Sequence, residues 1–308
     1  MENKKKLDSR IQVLLAFAAI YIIWGTTYLA IKIGIREFPS FIMASIRYCL
    51  AGSILLGYCL LKKEKMFSHN ILRNIVLGSF VMTFGQAIAF WSEKYISSGL
   101  TAVFNSILPI CYILTDKRNW SFYKKSKLTL LSIGMGLVGI VILFIHPSGA
   151  EVHNTGIWSL IASIVAVASC FCWAIGSLYY KYHFKTGSLF GNLGWQLIGG
   201  MLSCAIIALI FGEWKIFHIQ SITLTAWASV VYLAIAGSIV ALFALYWLLA
   251  RRPAALVGTY AYVNPVIAVL LGFFIAGERI SLLQILGMVL IIAAAYIANL
   301  VKFHAKDM

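Results

Sequence analysis

The chain has 308 residues, of which 61% are apolar and 11% are charged, and its mean hydropathy is +0.90. A soluble domain carries roughly 25% charged residues, and a chain this apolar could not keep a soluble surface free of large apolar patches. The composition therefore excludes a soluble protein and predicts a polytopic membrane protein, which leaves the formal net charge of +15 to be explained.

Ten apolar segments have about the 20-residue length that a membrane-spanning helix needs. In chain order they are 11–33, 40–61, 73–92, 97–115, 127–145, 156–180, 190–212, 223–249, 254–276 and 282–301. The runs are continuous, whereas the strands of a membrane barrel alternate. The first segment has a basic flank but no small-x-small cleavage site, so we interpret it as a retained helix and not as a signal peptide. The links are too short to fold as a soluble catalytic domain.

The positions of the basic residues assign the net charge to membrane topology. If the N-terminus is cytoplasmic, the inner links and ends hold 19 of the 25 basic residues, the outer ones hold five, and Arg47 lies inside the second segment. The ten acidic residues divide evenly between the two sides. This is the positive-inside distribution. We therefore expect both termini in the cytoplasm, the bilayer as the partner of these basic residues, and no nucleic-acid binding.

No sequence motif indicates an enzyme. HExxH, GxSxG and GxxxxGK[ST] are absent, so the sequence indicates neither a zinc protease, nor a serine hydrolase, nor an ATP-driven pump. All six cysteines lie in apolar segments, where packing is their usual role, and the six histidines lie in links or tails. We therefore predict no catalytic residue, no metal and no cofactor.

The second part of the chain repeats the first, so that segments one to five (11–145) correspond to segments six to ten (156–301). Because five is odd, the second copy enters the membrane from the opposite face. Inverted repeats are typical of secondary transporters, whose binding site lies near the midplane between the two halves. At shifts of 149 and 156 positions, the matched pairs are Trp24 with Trp173, Lys32 with Lys181, Phe41 with Phe190, Trp91 with Trp247, Leu100 with Leu256, and Pro109 with Pro265.

Two prolines stand at matched positions in the fourth and ninth segments. Proline removes one backbone donor and frees the carbonyl one turn earlier. We predict that Pro109 and Pro265 interrupt their helices beside a central cavity, where a polar solute or water could use the freed carbonyls. Kinks that serve helix packing alone are the alternative.

Four stretches resemble the EamA family of the drug/metabolite transporter superfamily: 22–28 (IIWGTTY), the segment around Arg47, 260–266 (YAYVNPV) and Gly277-Glu278. The resemblance runs from about residue 14 to residue 300. It implies ten helices in two inverted five-helix halves around a central cavity for a small solute. Where the family often has a second Gly-Glu, at the end of the fourth segment, this chain has 115–118 (TDKR), so the inner gate of the first half is expected to differ.

Three charged side chains are candidates for the transport path. Arg47 lies about two turns inside its segment, and charges within spans are costly and usually functional, so we predict that it binds solute. Snorkelling toward the interface or bonding to backbone carbonyls is the alternative. Lys32 and Glu93 lie near outer ends and are candidates for a gate, with Glu93 as a partner of Arg47 or Lys32, and simple placement at the membrane interface is the alternative. No acidic residue is near the centre of a span, which disfavours a cationic substrate.

Further polar and aromatic side chains inside the spans complete the predicted binding site. Tyr260 and Asn264 are four residues apart and therefore share one helix face beside Pro265. An aromatic stripe also fits plain packing, and a tryptophan near the end of a span fits an interface anchor. The predicted lining residues are Trp24, Gln86, Trp91, Asn105, Tyr260, Tyr262 and Asn264.

The sequence therefore predicts an all-α secondary transporter of the cell inner membrane, which moves a small amino-acid-like zwitterionic or anionic metabolite by alternating access, with export as the expected direction. A multidrug or toxic-compound exporter of the same fold is one alternative. A passive channel or a lipid scramblase is another, although neither predicts two inverted halves. The expected partners are a small solute and the bilayer, and a homodimer is compatible with the sequence.

Overall fold

The computed structural model describes residues 2–64, 71–96, 98–144, 156–184, 187–276 and 280–301. Within these ranges the chain forms helices and no strand, which confirms the predicted all-helical class. The reason is physical: in hydrocarbon a backbone has no water to bond, and an apolar segment satisfies its own N–H and C=O groups only as a helix.

The longer helices follow the apolar segments, and the short ones lie at links or at interruptions. Two of the long helices, α3 and α11, contain a π-helical stretch, at Ser79–Ala87 and Leu233–Val240. In chain order the helices are α1 (Glu2–Gly34), α2 (Ser40–Lys62), α3 (Ile71–Ser92), α4 (Ser98–Asn105), α5 (Leu108–Thr115), α6 (Trp120–Lys125), α7 (Lys127–Phe144), α8 (Ile157–His183), α9 (Leu189–Ile210), α10 (Glu213–Ile216), α11 (Leu224–Leu249), α12 (Ala254–Val257), α13 (Tyr260–Ala276) and α14 (Leu282–Leu300).

By length and apolar composition, eight helices of the described ranges can cross a membrane by themselves. They are Ile11–Gly34, Ser40–Lys62, Ile71–Ser92, Ile157–His183, Leu189–Ile210, Leu224–Leu249, Ala254–Leu271 and Leu282–Leu300. A further candidate joins α6 and α7, which are bent by 92° to each other. The fourth predicted segment, 97–115, is divided into α4 and α5. The figure of ten crossing helices therefore remains a prediction.

The two prolines behave differently. Pro109 stands in the first turn of α5, directly after the interruption at residues 106–107, where a missing N–H costs nothing. Pro265 lies inside α13, which continues through it to Ala276, so the prediction that Pro265 interrupts its helix is wrong. The Pro265 side chain is buried within the protein, where neighbouring groups can replace the backbone hydrogen bond that proline cannot make.

The ninth segment is interrupted one to two turns earlier, at Gly258 and Thr259, between α12 and α13. A Cβ at Gly258 would lie 2.7 Å from Cδ2 of Tyr112, so only glycine lets the chain pass this ring. The backbone is satisfied there by tight bonds, in which Ala261 N donates to Gly258 O at 3.0 Å and Tyr262 N to Thr259 O at 3.0 Å. Glycine and a facing aromatic ring, not proline, set the position of this interruption.

Corresponding helices of the two parts of the chain pack against each other: α2 against α9, and α7 against α14. The α7–α14 pair crosses at two glycines. A Cβ at Gly139 would lie 3.0 Å from the carbonyl oxygen of Gly287, and one at Gly287 would lie 2.8 Å from that of Gly139. Small residues allow such close approach of backbones in a membrane, where packing has to replace the hydrophobic effect.

At one end of the bundle, two acidic residues each accept hydrogen bonds at the start of a helix that belongs to the other part of the chain. Glu37, in the α1–α2 link, accepts hydrogen bonds from N and Oγ1 of Thr223, just before α11, at 2.6 and 2.8 Å. Glu213, the first residue of α10, accepts from the backbone N–H of Phe41 at 2.9 Å in the first turn of α2. This end, which carries the links 35–39, 93–96 and 211–223, is called the Glu93 face below.

At the opposite end, other links meet. Nζ of Lys181 donates to the carbonyl oxygen of Arg252 at 3.1 Å, and Nε of Arg73 donates to the hydroxyl of Tyr179 at 2.7 Å. This end, which carries residues 63–64, 116–126 and 250–253, is called the Asp116 face below.

Candidate functional site

A cavity of about 100 Å³ lies between α1, α2, α3, α4, α5, α8 and α13, and it extends to Glu93 at the Glu93 face. Four helices, α1, α3, α8 and α13, each contribute side chains three or four residues apart, a spacing that places residues on one helix face. Seven residues predicted from the sequence line it: Trp24, Arg47, Gln86, Glu93, Asn105, Tyr260 and Asn264.

Arg47 is the most unusual group in this cavity. It is 1% exposed, and its Nε donates to Oγ of Ser238 at 2.7 Å. Its Nη1 has no hydrogen-bond partner, and in the described part of the chain the one ion pair within 4.0 Å joins Lys94 to Glu213, not Arg47 to an acid. The guanidinium carbon lies 5.7 Å from the ring centroid of Phe90, which gives it a cation–π contact. A buried cation with an unpaired donor therefore forms part of the cavity wall.

Asn264 presents the complementary group. Its side chain is 4% exposed, and Oδ1 is buried without a hydrogen-bond partner. Buried polar atoms are normally satisfied, so an acceptor left open beside a cavity indicates a place for a donor from a bound molecule or water. Arg47 and Asn264 thus provide an open donor and an open acceptor in one cavity.

The two other amide side chains of the cavity, those of Gln86 and Asn105, are hydrogen-bonded to the protein. The hydroxyl of Tyr48 donates to Oε1 of Gln86 at 2.6 Å, and Nδ2 of Asn105 donates to the hydroxyl of Tyr28 at 3.3 Å. The Sγ of Cys170 lies 3.5 Å from Oδ1 of Asn105. These bonds fix the orientations of the two amide groups. The remaining lone pairs and N–H groups of Gln86 and Asn105 then belong to the cavity wall.

Aromatic side chains line the same cavity. The rings of Trp24 and Tyr260 lie 4.6 Å apart between centroids, and those of Trp24 and Trp173 lie 5.9 Å apart with nearly perpendicular planes. Nε1 of Trp24 donates to the carbonyl oxygen of Gly237 at 3.1 Å, which holds α1 on α11. The rings provide an apolar contact surface beside the charged and amide groups, the usual combination of a small-molecule site.

Both π-helical stretches contribute residues to this site. Gly85 and Gln86 belong to Ser79–Ala87, and the partner of Arg47, Ser238, belongs to Leu233–Val240. Wider helical turns are frequent at functional sites, because they redirect side chains and release backbone groups. Nothing in the apolar periodicity of these segments indicates them.

Glu93 occupies the mouth of the cavity, directly after the end of α3. Burial raises the pKa of its carboxyl to about 8, and the nearby Lys32 ammonium lowers it in part. The Lys32 side chain is itself exposed and does not line the cavity. Of the two predicted gate residues, Glu93 therefore reaches the solute path and Lys32 acts on it only through its charge.

The remaining predicted residues lie away from the cavity. Tyr262 is fully buried against α7, and its hydroxyl donates to the carbonyl oxygen of Ile133 at 3.4 Å. Trp91 packs on Tyr95 with ring centroids 5.0 Å apart. Pro109 and Pro265 are buried but do not line the cavity. Two residues along a helix turn a side chain by roughly 200°, which is why Tyr262 cannot share a cavity with both Tyr260 and Asn264.

The sequence analysis missed Tyr28 and Ser238. Tyr28 lies four residues after Trp24 and therefore on the same face of α1, a spacing that could have identified it. Ser238 carries no comparable signal, because a lone serine in an apolar helix most often bonds its own backbone. Among the described residues, no group of three or more histidine, cysteine or acidic side chains could hold a metal ion.

Apolar helices long enough to cross a membrane, together with a cavity lined by buried polar groups, define this protein as a multi-pass membrane transporter. It belongs to the EamA-like transporter family, whose sequence model matches residues 10–145 and again residues 160–300. The family resemblance seen in the sequence is thereby confirmed.

Curated relatives cover nearly the whole chain. The chain is 34% identical to the inner membrane transporter YedA of Escherichia coli (strain K12), over 94% of this chain and 90% of the relative. It is 22% identical to the transporter YoaV of Bacillus subtilis (strain 168), over 91% and 94%, and 26% identical to the protein PecM of Dickeya dadantii (strain 3937), over 92% and 91%. A solved crystal structure with 18% identity has the same fold, with a TM-score of 0.73 over 94% of this chain and 96% of that one.

Proposed function

We propose that this protein is a secondary transporter that moves a small carboxylate-bearing metabolite, zwitterionic or anionic, across the inner membrane through the cavity between its two halves. The observation that carries the proposal is Arg47, a buried guanidinium that lines the cavity, has an open Nη1 and has no acidic partner among the described residues.

The charge of Arg47 selects the class of solute. A buried ion that lacks a counter-ion is costly, and charged side chains inside membrane proteins usually pair with one another or with a substrate. Guanidinium matches carboxylate through two parallel hydrogen bonds. A cationic drug would instead be repelled. The multidrug alternative therefore has less support than an amino-acid-like metabolite.

Other residues of the cavity fit the ammonium group and the apolar substituent of such a solute. The open Oδ1 of Asn264 can accept a hydrogen bond from an ammonium or amide group. The neighbouring rings of Trp24 and Tyr260, whose planes are tilted by 57°, offer an apolar surface to a side chain. A zwitterion with an apolar substituent would occupy all three places.

Alternating access is supported by the arrangement of the helices. The family model matches the chain twice, and the corresponding helices α2 and α9, and α7 and α14, pack as pairs. We infer two inverted halves that rock about the cavity. The cavity extends to the Glu93 face, while buried side chains such as Tyr112 fill the space toward the Asp116 face. This is the arrangement of a state open toward one side.

Charge distribution supports the orientation. The Asp116 face carries basic residues in every described link, for example Lys63, Arg118 and Arg252, and the positive-inside rule places such a face in the cytoplasm. Both termini would then be cytoplasmic and the described state would be open to the outside. The inner membrane is supported by the name of the relative YedA, an inner membrane transporter. Export is the direction that we expect.

The test is counterflow in proteoliposomes that contain the purified protein. Vesicles loaded with a mixture of unlabelled amino acids should accumulate a labelled amino acid with saturable kinetics, and the Arg47→Ala protein should not. Unsaturated conduction of ions, or lipid flipping without counterflow, would favour the channel or scramblase alternative. Saturable exchange of organic cations that does not depend on Arg47 would favour the multidrug exporter.

A further inference from the structure

A second buried polar cluster lies at the Asp116 face, outside the cavity. The Asp116 carboxylate follows the last residue of α5 and is 1% exposed. Its Oδ2 accepts hydrogen bonds from the hydroxyl of Tyr123 at 2.7 Å and from Nδ2 of Asn119 at 2.9 Å. Its Oδ1 accepts from the hydroxyl of Tyr182 at 2.5 Å. One carboxylate thus receives three hydrogen bonds, which is the way in which a protein makes a buried acid tolerable.

One of these three bonds, the one from Tyr182, crosses between the two matched parts of the chain. Asp116 and Tyr123 belong to the first part, whereas Tyr182 ends α8 in the second part. The hydroxyl of Tyr123 also accepts from the backbone N–H of Ala255 at 3.4 Å, in the first turn of α12. The cluster therefore holds the end of α5 to the ends of two helices of the other part.

The cluster lies directly behind the floor of the cavity. Leu108 of α5 lines the cavity, and Tyr112, one turn further, is fully buried with its hydroxyl 2.8 Å from Oγ of Ser177 in α8. The backbone N–H of Asp116 donates to the carbonyl oxygen of Tyr112 at 2.8 Å. A solute could leave the cavity toward this face only if α5 separated from α8 and α12, and that separation would break the Asp116–Tyr182 and Tyr123–Ala255 bonds.

We propose that Asp116, with Tyr182 as its partner across the two halves, is a lock that stabilises the conformation closed at the Asp116 face. The proposal rests on the alternating access proposed above. It assigns a role to Asp116 and Tyr182 as positioning residues that never touch the solute. Loss of one hydrogen bond should shift the equilibrium between the two conformations by about two- to tenfold toward opening at this face.

Tyr182→Phe is the sharpest variant, because it removes the hydroxyl that donates to Asp116 and also accepts from Nδ2 of Asn119 at 2.8 Å. It keeps the ring under Arg118, whose guanidinium carbon lies 4.4 Å from the ring centroid. Asp116→Asn is the second variant, since its amide nitrogen cannot accept a hydrogen bond at whichever of the two carboxylate oxygen positions it occupies. Tyr58→Phe is the matched control: Tyr58 is exposed and packs through its ring on Phe190, with centroids 5.1 Å apart.

The readout is the rate of alkylation of two single-cysteine proteins by a water-soluble maleimide in detergent, where both faces are accessible. One protein keeps only Cys170, which lines the cavity. The other has no native cysteine and carries Ser177→Cys, at a fully buried position beneath the floor. With Tyr182→Phe, the rate at 177 should rise about two- to tenfold and the rate at 170 should not rise, and Tyr58→Phe should change neither.

The ratio of the two rates separates a lock from a merely structural contact. If Tyr182→Phe and Asp116→Asn leave the ratio unchanged, or raise both rates together as loosened packing would, the proposal is overturned. An effect of the same size from Tyr58→Phe would also overturn it. Failure of the proposed function would appear separately, as the absence of Arg47-dependent counterflow, and would leave this alkylation ratio unaffected.

Discussion

Arg47 donates through Nε to Oγ of Ser238 across 2.7 Å, so that a cation from α2 is held by the π-helical stretch of α11. Ser238 is fully buried, and its hydroxyl is neutral. One neutral hydrogen bond orients the guanidinium but cannot balance its charge. The bond therefore holds the positive charge in place and leaves Nη1 without a hydrogen-bond partner. A solute carboxylate could provide both the missing acceptor and the missing negative charge.

The first prediction follows from this charge. Arg47→Ala should reduce saturable counterflow by about ten- to a hundredfold, because a hydrogen bond to a charged group contributes about 1.5–3 kcal/mol. Arg47→Lys should recover little, since an ammonium is a point charge without the planar fork of donors that matches a carboxylate. The measurement is initial uptake at limiting substrate, with size-exclusion profiles to establish folding. Arg251→Ala, at an exposed arginine, is the control, and normal uptake by well-folded Arg47→Ala protein would reduce Arg47 to a packing role.

The second prediction concerns Asn264. Its open Oδ1 should bind a donor of the solute, so Asn264→Ala should raise the apparent KM about two- to tenfold, equivalent to about 0.5–1.5 kcal/mol, with a smaller effect on expression. Tyr262→Phe is the matched control, because Tyr262 lies two residues away but outside the cavity. Cysteines at 260 and 264 should be protected from a water-soluble thiol reagent by saturating substrate. An equal loss of affinity in both variants would contradict the geometry.

Much of the fold could be predicted from the sequence, because long apolar runs leave a backbone in lipid no alternative to a helix. The interruptions could be predicted only in part. The interruption before α5 could be predicted from a proline, since Pro109 stands in the first turn of that helix. The interruption before α13 could not, because it lies at Gly258, where the missing side chain leaves room for the ring of Tyr112. That contact joins residues far apart in the chain, and no local pattern records it.

The candidate site was predicted in part, because charged and amide side chains are rare enough in apolar segments to be conspicuous. Arg47 and Asn264 were found in this way. Tyr262 lies outside this cavity and Ser238 was not predicted, since which face of a helix meets a cavity depends on the π-helical turns and on the neighbouring helices. Composition shows which residues are costly in lipid, while packing decides which of them meet.

The third prediction uses Glu93. Because burial raises the pKa of its carboxyl to about 8, the group is mostly neutral below that pH and gains a negative charge as the pH rises through it. A negative charge at the mouth of the cavity should repel a carboxylate solute, so apparent affinity should fall as the pH passes about 8. Glu93→Gln should abolish this dependence, whereas Glu37→Gln, on the same face but bonded to Thr223, should keep it. An unchanged pH profile in Glu93→Gln would remove Glu93 from the solute path.

The fourth prediction concerns orientation. With the native cysteines removed, Lys63→Cys at the Asp116 face should be protected from an impermeant maleimide in intact cells. Ser148→Cys, which lies outside the described residues, should be labelled. The reason is the excess of basic residues in the links on the side of Lys63. Strong labelling at position 63 together with none at position 148 would reverse the assignment, and the described state would then be open toward the cytoplasm.

The last prediction compares two glycines of α7. A Cβ at Gly136 would lie 2.3 Å from Cδ2 of Tyr262, whereas one at Gly134 would meet nothing within 4 Å. Tyr262 is fully buried and cannot move aside, so Gly136→Ala should destabilise the protein by about 1–3 kcal/mol.

Gly134→Ala should be neutral or stabilising by up to about 1 kcal/mol, because alanine loses less conformational entropy in a helix. Thermal unfolding in detergent measures both effects. The two substitutions add the same methyl group to the same helix, so a difference between them reports only on the contact with Tyr262. If Gly136→Ala unfolded at the wild-type temperature, α7 and α13 would not pack as closely as the structure shows, and the placement of Tyr262 outside the cavity would lose its physical basis.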